Sequence, residues 1–147
     1  MNADPNTLPY ADLTGKIIEA FYSVCNELGY GFLESVYRRA LCIALTEAGL
    51  NVQQEAAIAV WFRGQNVGDF KADLLVEGKV LLELKTAHSI DRSHEAQLLN
   101  YLRATPVEVG LILNFGPKPQ FRRPAFADKN KEIRVHPRVS AVGSSSS

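Results

Sequence analysis

The run Phe70-Lys71-Ala72-Asp73-Leu74-Leu75-Val76, Glu77-Gly78-Lys79, Val80-Leu81-Leu82-Glu83-Leu84-Lys85 reads as two alternating strands joined by a short turn. With Glu77-Gly78-Lys79 as a three-residue turn, Val76 faces Val80 and Asp73 falls opposite Glu83, their Cβ atoms about 4.5–5.5 Å apart on one face. Two like charges so placed repel. Alternation adds Lys71 and Lys85 to that face, together with Leu75 and Leu81, and puts Phe70, Ala72, Leu74, Val76, Leu82 and Leu84 on the other. The leucines keep the charged face partly out of water, so the carboxylate pair needs a counter-charge. Either the two lysines supply it, as a cross-strand ladder, or a divalent cation bound between the acids does. The residues alone leave both readings open.

The hairpin sits inside a chain whose other elements read clearly. Leu13, Ile17, Ala20, Phe21, Val24 and Leu28 recur at helical spacing up to Gly29, and a second helix runs from about Leu33 to Ala48, stopped by Gly49. Val52-Gln53-Gln54-Glu55 and Ala57 to Phe62 are extended segments leading to the turn Arg63-Gly64-Gln65-Asn66. A third helix spans about Ser93 to Arg103, closed before Pro106, and Val109 to Phe115 is a strand apolar enough to be buried on both faces. Beyond Gly116 an edge strand near Phe121 and another over Glu132 to His136 are expected. A hairpin, then a helix, then a strand predicts an α/β fold of the α+β type, with a mixed central sheet flanked by helices.

At 147 residues with 46% hydrophobic content, one domain over residues 12–138 is expected. A loose lead-in over 1–11 precedes it, and a disordered Ser-rich tail over 139–147 follows. Cys25 and Cys42 form neither a disulfide framework nor a zinc site, which leaves them as reduced core residues. There is no basic start followed by an apolar run, and no stretch near the ~20 apolar residues of a membrane span. A cytoplasmic protein with no membrane partner is the expectation. Net charge is zero, yet residues 118–138 carry seven basic side chains against two acidic ones. That segment, with Arg122 and Arg123 in it, is either an arm for a polyanion or a solvated stretch.

Two further groups stand out. Glu34 and Tyr37 lie one turn apart at the start of the second helix, where Glu34 can equally complement the helix N-terminus or pair with Arg38. On the third helix His94, Gln97 and Tyr101 fall within an arc of roughly 60°, facing a polar cleft or plain water, with Leu98, Leu99 and Leu102 toward the core.

Taken together, GFLESVY (31–37), FKADLLV (70–76), LLELKT (81–86), HEAQLLNYL (94–102) and GLILNFG (110–116) resemble, in order, the bacterial GxxExxY proteins of the PD-(D/E)XK nuclease-like superfamily. The resemblance covers roughly residues 12 to 116. It implies a restriction-endonuclease-like core with the active site at one sheet edge. Asp73 corresponds to the superfamily's metal-binding acid, Glu83 and Lys85 to its ExK pair, Glu34 to the acid of the early helix, and Gln97 with Tyr101 to the QxxxY element of exonuclease-like members. Ala72 stands where the superfamily's name has proline.

The resemblance thus implies a catalytic set of Glu34, Asp73, Glu83, Lys85, Gln97 and Tyr101. Asp73, Glu83 and Glu34 would hold Mg²⁺ or Mn²⁺; beside them Lys71 on the charged strand face, His94 in the third-helix stripe, and Arg122 and Arg123 in the basic segment beyond the resemblance are expected to contact substrate. Phosphodiester hydrolysis asks for such groups: a hard cation on oxygen ligands to neutralise charge and activate water, and a lysine for the phosphorane. The function expected is a divalent-metal-dependent nuclease acting on DNA, less favourably RNA, with a homo-oligomer or protein partner compatible with the neutral charge. The alternative is a non-catalytic nucleic-acid or protein interaction module that keeps the fold. A small hydrolase for non-polymeric phosphate esters is a third reading.

Overall fold

The structure, a computed structural model, describes residues 10–124. Along the chain lie α1 (Ala11–Leu28), α2 (Glu34–Glu47), β1 (Val52–Phe62), β2 (Gln65–Val76), β3 (Val80–Lys85), α3 (Arg92–Arg103), β4 (Val109–Asn114) and β5 (Gln120–Arg122). The strands form one sheet in the order β1-β2-β3-β4-β5. Only β3 and β4 run parallel; the other neighbours are antiparallel. This is the mixed sheet with flanking helices that the element order predicts, including the edge strand at Phe121. The second expected edge strand, over Glu132 to His136, the Ser-rich tail and most of the basic segment lie outside the described residues.

The sheet is covered on both faces. Ile17, Phe21 and Val24 of α1 and Tyr37, Leu41 and Leu45 of α2 bury against Leu74, Val76, Leu82, Leu84, Leu111 and Leu113. Leu98 and Leu102 of α3 bury against Leu81, Ile112 and Ala72, with Phe70 and Leu75 packed alongside. All six residues of β4 are buried, as its continuous apolar run requires. Leu99 of α3 is only half-buried, so the core side of α3 rests on Leu98 and Leu102. Cys25 and Cys42 are free thiols packed against the larger core, and burial pushes the Cys25 thiol up to about 11.

Two departures from strand regularity shape the site. The two extended segments expected before residue 63 are one strand, β1, whose Glu55 adopts φ 50, a left-handed conformation that disfavours a residue with a Cβ. In the β1–β2 register Gln54 pairs with Leu74 and Ala56 with Ala72, so the positions between them, Glu55 and Asp73, drop out of the ladder. Sheet facing changes there. Leu74 packs toward α1 and α2, whereas Ala72, two residues earlier, packs toward α3. The expectation that Phe70 and Ala72 share the face of Leu74 and Val76 is therefore overturned, because the left-handed residue opposite Asp73 breaks the alternation.

Candidate active site

The hairpin has the predicted register: Val76 pairs with Val80, Leu75 with Leu81 and Leu74 with Leu82. The ladder then stops one step short of Asp73 and Glu83. Leu84, which a continued ladder would place opposite Ala72, donates its N–H instead to Asp73 Oδ2 at 2.7 Å. The acid has taken the place of a main-chain acceptor where β2 and β3 part.

Three carboxylates feel one another at this point. Burial raises the Glu83 carboxyl from an ordinary 4.5 to about 7, and the charge of Asp73 adds to the rise against Lys85 and the Asp73 amide. Burial also raises Asp73, offset by the Leu84 amide, Arg38 and Lys85, with Glu55 pushing upward. Glu34, at the exposed first turn of α2, is raised by burial and by Asp73, and lowered by Lys85, Arg38 and His94. The ends of α2, α3 and β3 therefore meet here, on the third of five strands and not on an edge strand. The expected position at a sheet edge is corrected accordingly.

The counter-charge differs from the one the hairpin alone suggests. Lys71 is exposed and sits opposite Ala57 of β1. Arg38 lowers both Asp73 and Glu34. Its guanidinium reaches Glu55 at 3.8 Å, not Glu34, and its Nε is buried without a hydrogen-bond partner among the described residues. Nothing in a helix pair at i, i+4 distinguishes this arginine from a surface partner of Glu34, because its contact with Glu55 exists only once α2 lies over β1.

Among the described residues Glu83 Oε2 is likewise buried without a hydrogen-bond partner. A carboxylate oxygen orphaned beside a second acid is an arrangement that a hard divalent cation satisfies, and Asp73 with Glu83 offers the oxygen donors it prefers. Among the described residues no group of three or more His, Cys, Asp or Glu side chains is gathered to hold a metal. An ion here would rest on two carboxylates and complete its shell with water and substrate oxygens, as Mg²⁺ commonly does.

The third helix presents its stripe to the same place. Tyr101 stacks on Phe70 of β2, ring centroids 3.6 Å apart, and its hydroxyl is raised by burial and by the Glu83 charge while a Gln97 hydrogen bond opposes. Gln97 is exposed. His94 has a prior engagement: its Nδ1 accepts from the Asp91 N–H at 3.3 Å, while Asp91 Oδ1 accepts from the N–H groups of Ser93 and His94, a reciprocal cap on α3. Arg122 lies 3.8 Å from Glu95 through its Nε. Burial lowers the Arg123 guanidinium, which has partners of its own.

Glu34 and Tyr37 part company in the fold. Tyr37 is buried, stacked on Phe115 at 4.6 Å, and its hydroxyl donates to Gly29 O at 2.6 Å and accepts from Phe32 N–H at 3.3 Å. It builds the loop that carries Glu34. Asn114, fully buried at the end of β4, clamps the chain after Lys85: Nδ2 donates to Ala87 O and Oδ1 accepts from Ala87 N–H, both at 2.9 Å. Its signal in the sequence was a lone amide in a strand buried on both faces, which must find partners.

The family model for the PD-(D/E)XK nuclease superfamily matches residues 11–124. Among solved structures, the crystal structure of SSO0001 is similar at 17% identity over 88% of this chain and 67% of its own, with a TM-score of 0.48. The crystal structure of an alkaline exonuclease, LHK-Exo from Laribacter hongkongensis, is similar at 12% identity over 94% of this chain and 83% of its own, also with a TM-score of 0.48. No curated protein matches the chain.

Proposed function

The chain belongs to the PD-(D/E)XK nuclease superfamily, and from that premise we propose that it is a divalent-metal-dependent nuclease hydrolysing phosphodiester bonds, of DNA first and RNA second. Within the superfamily, the GxxExxY proteins are the group its segments resemble. The observation that carries the reading is the orphaned, buried Glu83 oxygen beside Asp73 at the point where the hairpin ladder opens. A structural salt-bridge ladder would have satisfied that oxygen.

Asp73 and Glu83 would hold Mg²⁺ or Mn²⁺, which would supply Lewis acidity and charge neutralisation at the phosphate. The chain's own residues do the rest. Asp73 is held in place by the Leu84 N–H, so its second oxygen keeps a fixed aim. Lys85, one strand period beyond Glu83, donates to the attacking water and offsets charge that appears on the phosphorane. Glu34 adds negative charge at the rim, where it orders water. Gln97 and Tyr101 donate to phosphate oxygens, Tyr101 being fixed by its stack on Phe70. Lys71, His94, Arg122 and Arg123 extend positive or hydrogen-bonding surface for the polyanion. The test is cleavage of linear single- and double-stranded DNA and of RNA with Mg²⁺ or Mn²⁺, wild type beside Asp73→Asn. Turnover lost in the variant supports the assignment; no cleavage of any polymer by the wild type returns the chain to a non-catalytic module.

A further inference from the structure

The strand ends beyond Lys85 open onto a cavity of about 300 Å³ whose walls include Tyr30, Phe32, Thr86, His88, Phe115 and Gly116. Two of its aromatic walls face water to an unusual degree: Tyr30 is 65% exposed and Phe32 48%. Exposed rings of this size forgo the burial that drives folding, and among the described residues both keep about half or more of their surface open. They are nevertheless held firmly. The Tyr37 hydroxyl ties both ends of their loop, Phe32 packs edge-on against Tyr37 at 6.0 Å, and Gly31 takes φ 114, which a residue with a Cβ rarely adopts. The floor is equally fixed. Phe115 stacks on Tyr37, and Gly116 lies so close that a Cβ there would meet the Ala87 carbonyl oxygen at 1.9 Å.

The position is as informative as the walls. Thr86, on the cavity wall, directly follows Lys85, and the wall residue Phe32 lies two residues before Glu34, whose carboxyl feels the charges of Asp73 and Lys85, so the cavity lies beside the acid cluster. We propose that this cavity takes an unpaired nucleobase of the strand whose phosphate lies at Asp73, Glu83 and Lys85, which makes the substrate a single-stranded nucleic acid or a single-stranded end. The inference rests on the nuclease reading and names its substrate class. Aromatic faces accept any base by stacking, while His88 on the cavity wall and Lys85, next to Thr86 in the chain, offer donors to a phosphate backbone, the combination by which single strands are bound without sequence preference. A base paired inside a duplex has no free face to offer.

The experiment measures binding of fluorescein-labelled oligo-dT, oligo-rU and a blunt duplex by anisotropy, with Ca²⁺ in place of Mn²⁺. It compares wild type, Tyr30→Ala, Phe32→Ala, Tyr30→Phe and Ile43→Ala. Tyr30→Ala and Phe32→Ala are each expected to weaken single-strand binding roughly 5- to 150-fold, the usual value of one stacked base. Tyr30→Phe keeps the ring and should match wild type. So should Ile43→Ala, which removes a 61% exposed apolar side chain elsewhere on α2. The duplex should bind more weakly and ignore all four changes.

Unchanged single-strand affinity in Tyr30→Ala, preference of the wild type for the blunt duplex, or a wild-type dimer that Tyr30→Ala dissociates in sedimentation would each overturn the proposal. Because Tyr30 is 65% exposed and belongs to neither core cluster, Tyr30→Ala is expected to stay folded even where Phe32→Ala loosens the loop. Wild-type cleavage with a silent Tyr30→Ala defeats this inference alone, whereas a wild type that neither binds nor cleaves a polymer defeats the nuclease reading beneath it.

Discussion

Replacing Glu83 by glutamine should change how stability depends on pH, and the size of the change follows from the site. The carboxyl rises from an ordinary 4.5 to about 7 in the folded protein because it is buried beside Asp73. The folded state therefore binds its proton more tightly than the unfolded chain does. The relative stability this gives is fully present below about pH 4.5 and is lost as pH rises through about 7. For those two values the loss between about pH 5.5 and about pH 8 is about 2 kcal/mol. Glutamine cannot titrate, so that part of the pH dependence vanishes. Urea unfolding in EDTA at the two pH values should show the wild type losing about 2 kcal/mol more than Glu83→Gln between them. Asp73 and Glu34, also raised, add a drop of the same sign that both proteins share. Equal pH dependence in the two proteins would refute the reasoning, and a steeper fall in the variant would reverse its sign.

Three other changes probe the supports of the site. Asn114→Ala strands the N–H and C=O of Ala87, and should cost about 2–4 kcal/mol in urea unfolding; a loss under about 1 kcal/mol would mean that the clamp is replaced by water. Glu55→Gly relieves a left-handed φ of 50 and gives up only a half-exposed ion pair with Arg38, so a gain of about 1 kcal/mol is expected; destabilisation would assign Glu55 a structural hold on Arg38. Lys85→Ala should lower kcat roughly 10²- to 10³-fold with little change in KM, because its charge matters most in the transition state; full activity would remove it from the mechanism.

Most of the fold was legible because periodicity and punctuation agree along the chain. The hairpin register followed from turn length, and the buried strand Val109–Asn114 from an unbroken apolar run. What escaped depends on contacts between elements. The left-handed Glu55 sits in the polar run Gln53-Gln54-Glu55, which carries none of the Gly or Asn signals of a positive φ. The face switch at Asp73 was hidden with it. Arg38 looked like an ordinary helix-surface cation until α2 packed over β1. His94 is an unusual third member for a capping box, which normally ends in Glu or Gln, so its service to Asp91 was not read from spacing. The meeting of the two acids was legible, since the hairpin register follows from the turn length.

The central claim is that Asp73 and Glu83 are an acid pair held apart for a metal. Calorimetric titration of Mn²⁺ into wild type and Asp73→Asn at about pH 8, where Glu83 is ionised, asks this directly. The account predicts saturable binding of Mn²⁺ by the wild type and its loss in Asp73→Asn. Identical isotherms for the two proteins, or no binding by either, would contradict it.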